Sequence, residues 1–209
     1  MAGKLIIPTK LWITDELDVV QVNVTNNSVV SSIIPKIYQC DVNYLRLYHQ
    51  IISYHEFMIL CSSAQVLDLY QVAVSNDNDT VFSFKKLFEQ LTQLKEIYYT
   101  FTTSSNNTAK VDFKELWNIP HCANYDHFCL YNIPEDFDID GFYPFMKKNK
   151  KTRVNLCFSD EISEEYKARL EAFIDEIIDA KDHGYKPPYI SFLGNNQEKF
   201  NKLHRLHLK

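Results

Sequence analysis

His121, Cys122, Asp126, His127 and Cys129 form the densest gathering of metal-ligating and nucleophilic side chains in the sequence. A zinc site needs four such ligands at recurring intervals; the intervals here fit none of these, and no second Cys/His pair lies nearby to complete a set. Cys129 with a histidine base would make a thiol nucleophile, but the flanking residues carry no signature of a cysteine enzyme, so a structural role is expected for all five. His204 and His207 near the end of the chain are read the same way. Asp136-Phe137-Asp138-Ile139-Asp140-Gly141 matches positions 1, 3, 5 and 6 of a calcium-binding EF-hand loop, yet position 12 is Lys147 where a bidentate glutamate is required, and Pro144 falls inside the loop. The expected role of these aspartates is an acidic cap on the helix that follows. The run Lys147 to Arg153 places five cations in seven residues. It could bind phosphate or act as a nuclear-targeting signal, but the expected reading is a solvated turn where a helix ends and a strand begins, since the rest of the chain is acidic and lacks other basic clusters. No cofactor, metal or small-molecule substrate is inferred from any of these groups.

A different pattern organises the chain. Tyr44-Leu45-Arg46-Leu47-Tyr48 recurs closely as Val66-Leu67-Asp68-Leu69-Tyr70 and more loosely as Leu94-Lys95-Glu96-Ile97-Tyr98. His127 to Tyr131 and Arg153 to Cys157 keep its apolar-x-apolar centre. Alternation of this kind predicts half-buried strands. If the apolar residues face helices, Arg46, Asp68, Glu96, Cys129 and Asn155 share a row on the opposite face, with Tyr48, Tyr70, Tyr98 and Tyr131 in the adjacent row. Tyrosine ladders with interspersed charge are what a protein-binding surface offers, because tyrosine combines contact area with a polar tip. Tyrosine is also a good strand former that stacks on its cross-strand neighbours, so the row has a purely structural reading as well.

The elements around the repeats follow from local signals. Val20, Val22 and Val24 alternate with polar residues and predict a first strand over 18–24; Ser28 and Val29 to Ile34 predict a short helix stopped by Pro35. Ser53 is placed to cap a helix over 54–62. Phe84, Leu87, Phe88 and Leu91 have helical spacing, and 112–118 reads as a short helix ended by Pro120. A strand over 128–133 precedes a helix over 139–148. The strand 154–158 leads into the most strongly patterned helix, 162–180, with acidic first turns, an expected Glu165–Arg169 pair and Gly184 as its C-cap. Pro187-Pro188 then introduces a final strand over 189–192.

Taking Leu47, Leu69, Ile97, Leu130 and Leu156 as anchors, the units are spaced by about 27 residues. One strand and one helix per unit predicts an α/β fold: an irregular leucine-rich-repeat-like solenoid with a parallel sheet, or failing that an ordinary α/β sheet with helices on one side. Residues 1–194 are expected to form a single repeat-like domain, with 195–209 a weakly amphipathic tail prone to fraying.

Composition narrows the function classes. The 209 residues carry a net charge of −5, so no global attraction to nucleic acid or anionic membranes is expected. Four glycines argue against glycine-rich phosphate loops. No apolar run reaches the ~20 residues that span a bilayer. The N-terminal stretch is a poor secretory signal, and five cysteines without a CxxC pair suit a reducing cytoplasmic or nuclear setting. The four Asn-x-Ser/Thr sequences are then polar loop residues.

The run PEDFDIDGFYPFMKKNKKTRVNLCFSDEISEEYKARLEAFIDEIIDAKDHGYKPPYISF (134–192), with IIPKIYQCDVNYLRL and HEFMILCSSAQVLDLY before it, resembles a group of F-box-associated, leucine-rich-repeat-like proteins expanded in Caenorhabditis nematodes. The resemblance implies an interaction or substrate-recognition region, in some members behind an F-box that docks a Skp1-like ubiquitin-ligase adaptor. LIIPTKLWI does not supply the Leu-Pro-initiated F-box helices. The function expected is a non-enzymatic interaction module that binds a protein partner through its sheet face. Substrate recognition for a ubiquitin ligase comes second, and a cysteine-dependent enzyme third.

Overall fold

The computed structural model describes residues 10–20, 28–75, 84–101 and 116–209. In chain order the elements are β1 (Leu11–Val19), α1 (Val29–Ile33), β2 (Ile37–Tyr48), β3 (Ile51–Ser53), α2 (Tyr54–Cys61), β4 (Val66–Tyr70), β5 (Ala73–Ser75), α3 (Phe84–Gln90) and β6 (Glu96–Thr100). There follow β7 (His127–Ile133), α4 (Ile139–Lys148), β8 (Arg153–Phe158), α5 (Glu164–Asp179), β9 (Tyr189–Ser191) and α6 (Gln197–His207). Short 3-10 turns sit at Ile34–Lys36, Leu116–Asn118 and Pro120–Asn124. The fold is α/β. Seven strands form one parallel sheet in the order β1-β2-β4-β6-β7-β8-β9, and β3 pairs with β5 in a second, two-stranded parallel sheet.

Period-2 alternation does what it should. Leu45, Leu67, Ile97, Phe128 and Val154 stand opposite one another across five strands, and Leu47, Leu69, Tyr99, Leu130, Leu156 and Ile190 form the next row. All are buried, packed in one core with Phe57 and Leu60 of α2, Leu87 and Phe88 of α3, Phe142 of α4, and Leu170 and Ile174 of α5. Strand order equals chain order, so every crossover steps the same way, and connections of one hand put their helices on one face.

Helix ends follow their local chemistry. Ser53 caps α2 through a reciprocal box: its hydroxyl accepts from Glu56 N–H, and the Glu56 carboxylate accepts from Ser53 N–H. Ser31 of α1 donates to the same carboxylate, joining the first two helices. Asp138 caps α4 by accepting from Gly141 N–H, and a Cβ at Gly141 would collide with that carboxylate, which is why glycine follows the aspartates. Trp117, from the Leu116–Asn118 turn, lies within aromatic contact of Phe128, Phe137, Phe142 and Phe145.

Four expectations are corrected. The first strand runs over Leu11–Val19, earlier than 18–24; Asp15 at φ 62° and two register shifts against β2 break its alternation, and Val22 and Val24 lie outside the described residues. Arg169 reaches Asp140 at the start of α4 (2.6 Å), and the Glu165 pair does not form. Helix α5 ends at Asp179 with Ala180 in extended backbone, so Gly184 lies beyond the cap. The tail from Gln197 is a docked helix: Leu203 is buried, Lys199 pairs with Asp175 and Glu171 of α5, and Phe200 and His204 pack on Tyr189 of β9.

Candidate binding face of the sheet

The residues of opposite parity make up the other face, which is partly exposed except at Cys129, which is buried. Its middle row runs Asp18, Arg46, Asp68, Tyr98, Cys129, Asn155 and Tyr189. The row toward the strands' C-terminal ends is Tyr48, Tyr70, Thr100, Tyr131, Cys157 and Ser191; the other holds Tyr44, Val66, Glu96, His127 and Arg153. All nine residues expected on this face are there, but two are in different rows. Tyr98 stands beside Asp68, Thr100 takes the place next to Tyr70, and Glu96 moves to the row of Tyr44. The expected register made Ile97 the equivalent of Leu69. In fact Tyr99 is, burying its ring with the hydroxyl directed at Val72 O, while Leu94 is buried in the turn after α3. The expected register would also have set Glu96 directly opposite Asp68, where like charges repel.

The two halves of the face differ. At the β1–β4 end Arg46 uses all three guanidinium nitrogens: Nε to Asp68 (3.0 Å), Nη1 to Asp18 (3.1 Å) and Nη2 to the Tyr44 hydroxyl (2.7 Å). The Tyr44 and Tyr48 hydroxyls complete the shell of Asp68, and the Tyr48 and Tyr70 rings lie 5.1 Å apart. The Asp68 bond holds Arg46 firmly charged, and burial raises Tyr44 and Tyr48 above the ordinary phenol value. This half satisfies itself.

The β6–β8 half does not. Tyr98 donates to Glu96 (2.7 Å) and stacks over His127 at 6.4 Å; burial, then the Glu96 bond, keep its phenol protonated. Burial likewise raises Tyr131. Between them Cys129 is 1 % exposed, and burial pushes its thiol up to about 11, so it is a thiol at neutral pH and a poor nucleophile. The Asn155 amide nitrogen reaches Cys129 Sγ at 3.4 Å, while its Oδ1 is buried without a hydrogen-bond partner. Exchanging the two ends of the amide lets the thiol donate to the oxygen and strands the nitrogen instead, so one polar end is unpartnered either way.

The other chemistry-bearing groups separate. His121 bonds to Phe88 O and Cys122 to the Tyr125 hydroxyl within the helix-side layer, while His127 and Cys129 lie on the open face. Asp138 is a helix cap and Asp140 an ion-pair partner. Among the described residues no three His, Cys, Asp or Glu side chains converge as metal ligands do, and no helix is long and apolar enough to cross a membrane. The five cysteines are unpaired. Asn155 escaped the sequence reading as a distinct feature, because an unpaired buried amide has no signature in residue type or spacing. No family model, curated protein or solved structure matches this chain.

Proposed function

We propose that the chain is a non-enzymatic protein-interaction module built as an irregular solenoid of strand–helix units, which binds a protein partner through the open sheet face. The observation that carries this reading is the face itself, a broad, partly exposed surface of tyrosines and polar groups. Tyr70, Tyr98 and Tyr131 supply stiff contact area with polar tips. Arg46, Asp68 and Tyr48 are already committed to one another and act as a rigid rim, with Glu96 orienting Tyr98. Free cysteines suit the cytoplasm or nucleus as its place of work.

The test is site-specific photocrosslinking in cells. A photoreactive phenylalanine analogue at Tyr70 is expected to yield a discrete adduct that the same analogue at Ala172, exposed on α5, does not. A second change, Tyr98→Ser, should remove the adduct while leaving the circular dichroism spectrum unaltered. Equal labelling from both positions, or an adduct indifferent to Tyr98→Ser, refutes the proposal.

A further inference from the structure

Where β8 and β9 begin, three segments far apart in sequence meet: the 149–152 turn after α4, the 180–188 stretch after α5, and the last turn of α6. They enclose a cleft of about 560 Å³, within the range of small-ligand sites. Its lining includes Lys150, Lys181, Lys186 and Lys209, with Asp182 the one carboxylate side chain among the lining residues. None of these four lysines has an ion-pair partner among the described residues. In contrast, Lys147 and Lys151 of the same basic run are paired with Glu176 (3.9 Å) and Asp126 (2.9 Å). In a chain of net charge −5, such an unneutralised concave cluster is a local reversal of sign.

The walls are tied to one another by buried polar groups. Asn149, 2 % exposed, donates to Thr152 O (2.7 Å) and accepts from Thr152 N–H (2.9 Å), shaping the turn that carries Lys150. The Asn149 carbonyl accepts from Lys186 N–H (2.7 Å), joining that turn to the next wall. His207 Nδ1 lies 3.0 Å from Pro187 O and fastens α6 to the same stretch. Tyr185 lines the cleft, with Lys147 Nζ 4.7 Å over its ring and 3.5 Å from its hydroxyl. Its hydroxyl accepts there and keeps a proton to donate.

Three helices end beside this cleft, and cations complement their C-terminal dipoles. Each end presents only about half a negative charge, less than four lysines supply. From this excess, its concave shape and its pre-tied walls, we propose that the cleft binds a phosphate group, with Lys150, Lys181 and Lys186 as point charges around the phosphate oxygens and Tyr185 as a neutral donor. The phosphate comes either as a free small molecule or on a phosphorylated side chain of a protein, and the two are separable by experiment.

The experiment follows backbone amide NMR shifts of the full chain at constant ionic strength. Three probes are added: sodium pyrophosphate, a phosphoserine peptide, and its unphosphorylated twin. Saturable shifts confined to residues near 150, 181–186 and 206–209 are expected, weakened roughly tenfold or more by Lys181→Gln with Lys186→Gln. Pyrophosphate binding that exceeds the phosphopeptide points to a free phosphate compound; the reverse order points to a phosphoprotein. Shifts that sodium chloride reproduces, or binding that survives in a double variant with an otherwise unchanged spectrum, overturns the proposal.

Discussion

The imidazole of His207 is buried with its Nδ1 against the Pro187 carbonyl, and its proton affinity follows from that position. Burial, the largest influence, disfavours the imidazolium; the Pro187 bond works the other way, and Lys186, His204 and Arg153 add positive potential that disfavours it further. The folded-state pKa therefore lies below the ordinary 6.5. Below pH 6.5 the unfolded chain takes up a proton that the folded chain refuses, so the unfolded state holds more protons and stability falls as the pH drops. Urea unfolding should show constant stability from pH 8 to 7 and a decline between about 6.5 and 5.5, a window above the range where carboxylates titrate. His207→Gln, whose amide can still donate to Pro187 O, should flatten that decline. Parallel slopes in the two proteins would assign the pH dependence elsewhere.

Two strands end by a shared device: Tyr48 and Tyr70 are each followed by a residue in the left-handed region, His49 at φ 53° and Gln71 at 51°. Asn132, at 55°, takes the same conformation inside β7, where the pairing with β8 shifts register between Tyr131 and Ile133. The turn of the backbone keeps the ladder intact, since His49 N–H donates to Tyr70 O and Gln71 N–H to Thr100 O, while the chain leaves the sheet. Left-handed backbone costs a residue with a Cβ about 1–2 kcal/mol, and asparagine less than most. Glycine removes that strain but loses about 0.5–1 kcal/mol through the unfolded chain's freedom. Gln71→Gly should accordingly stabilise by roughly 0.5–1 kcal/mol in chemical denaturation; a loss of 1 kcal/mol or more would mean that the Gln71 side chain carries the turn. This device also marks the limit of what the sequence reveals. Leu-x-Leu-Tyr identified β2 and β4, and Ser53, Asp138 and Pro35 placed helix boundaries because capping and breaking act within a few residues. The register of β6 was hidden because a tyrosine does a leucine's work at position 99, and only the packing around Val72 reveals it. Asn155 and the lysine cleft were hidden for a related reason: a single unpaired amide, or cations from three distant segments, become a site only after the chain has folded.

Across the molecule, among the described residues each inner strand of the seven-stranded sheet pairs only with the strands of that sheet that come next before and after it in the chain, and the two outermost strands are treated differently. Helix α6 packs along β9, burying Leu203 and covering Tyr189 with Phe200 and His204. Among the described residues strand β1 has only β2 beside it in the sheet, with its pairing interrupted twice, Trp12 64 % exposed and polar residues at its centre. In the proposed solenoid, stability is close to a sum of unit and nearest-neighbour terms, so a strand flanked on both sides opens less readily than one flanked on one side. Native-state hydrogen exchange should then show the amides of β4, β6, β7 and β8 sharing the highest protection, with those of β1 exchanging at least about tenfold faster. Strand β9 should stay near the central strands because α6 supplies its second neighbour, and Leu203→Ala, at a cost of about 2–5 kcal/mol to the docked helix, should bring β9 down toward β1 while leaving β4 nearly unchanged. Uniform loss of protection across all seven strands in Leu203→Ala would instead show a single cooperative sheet, and would count against a chain of strand–helix units coupled only to their neighbours.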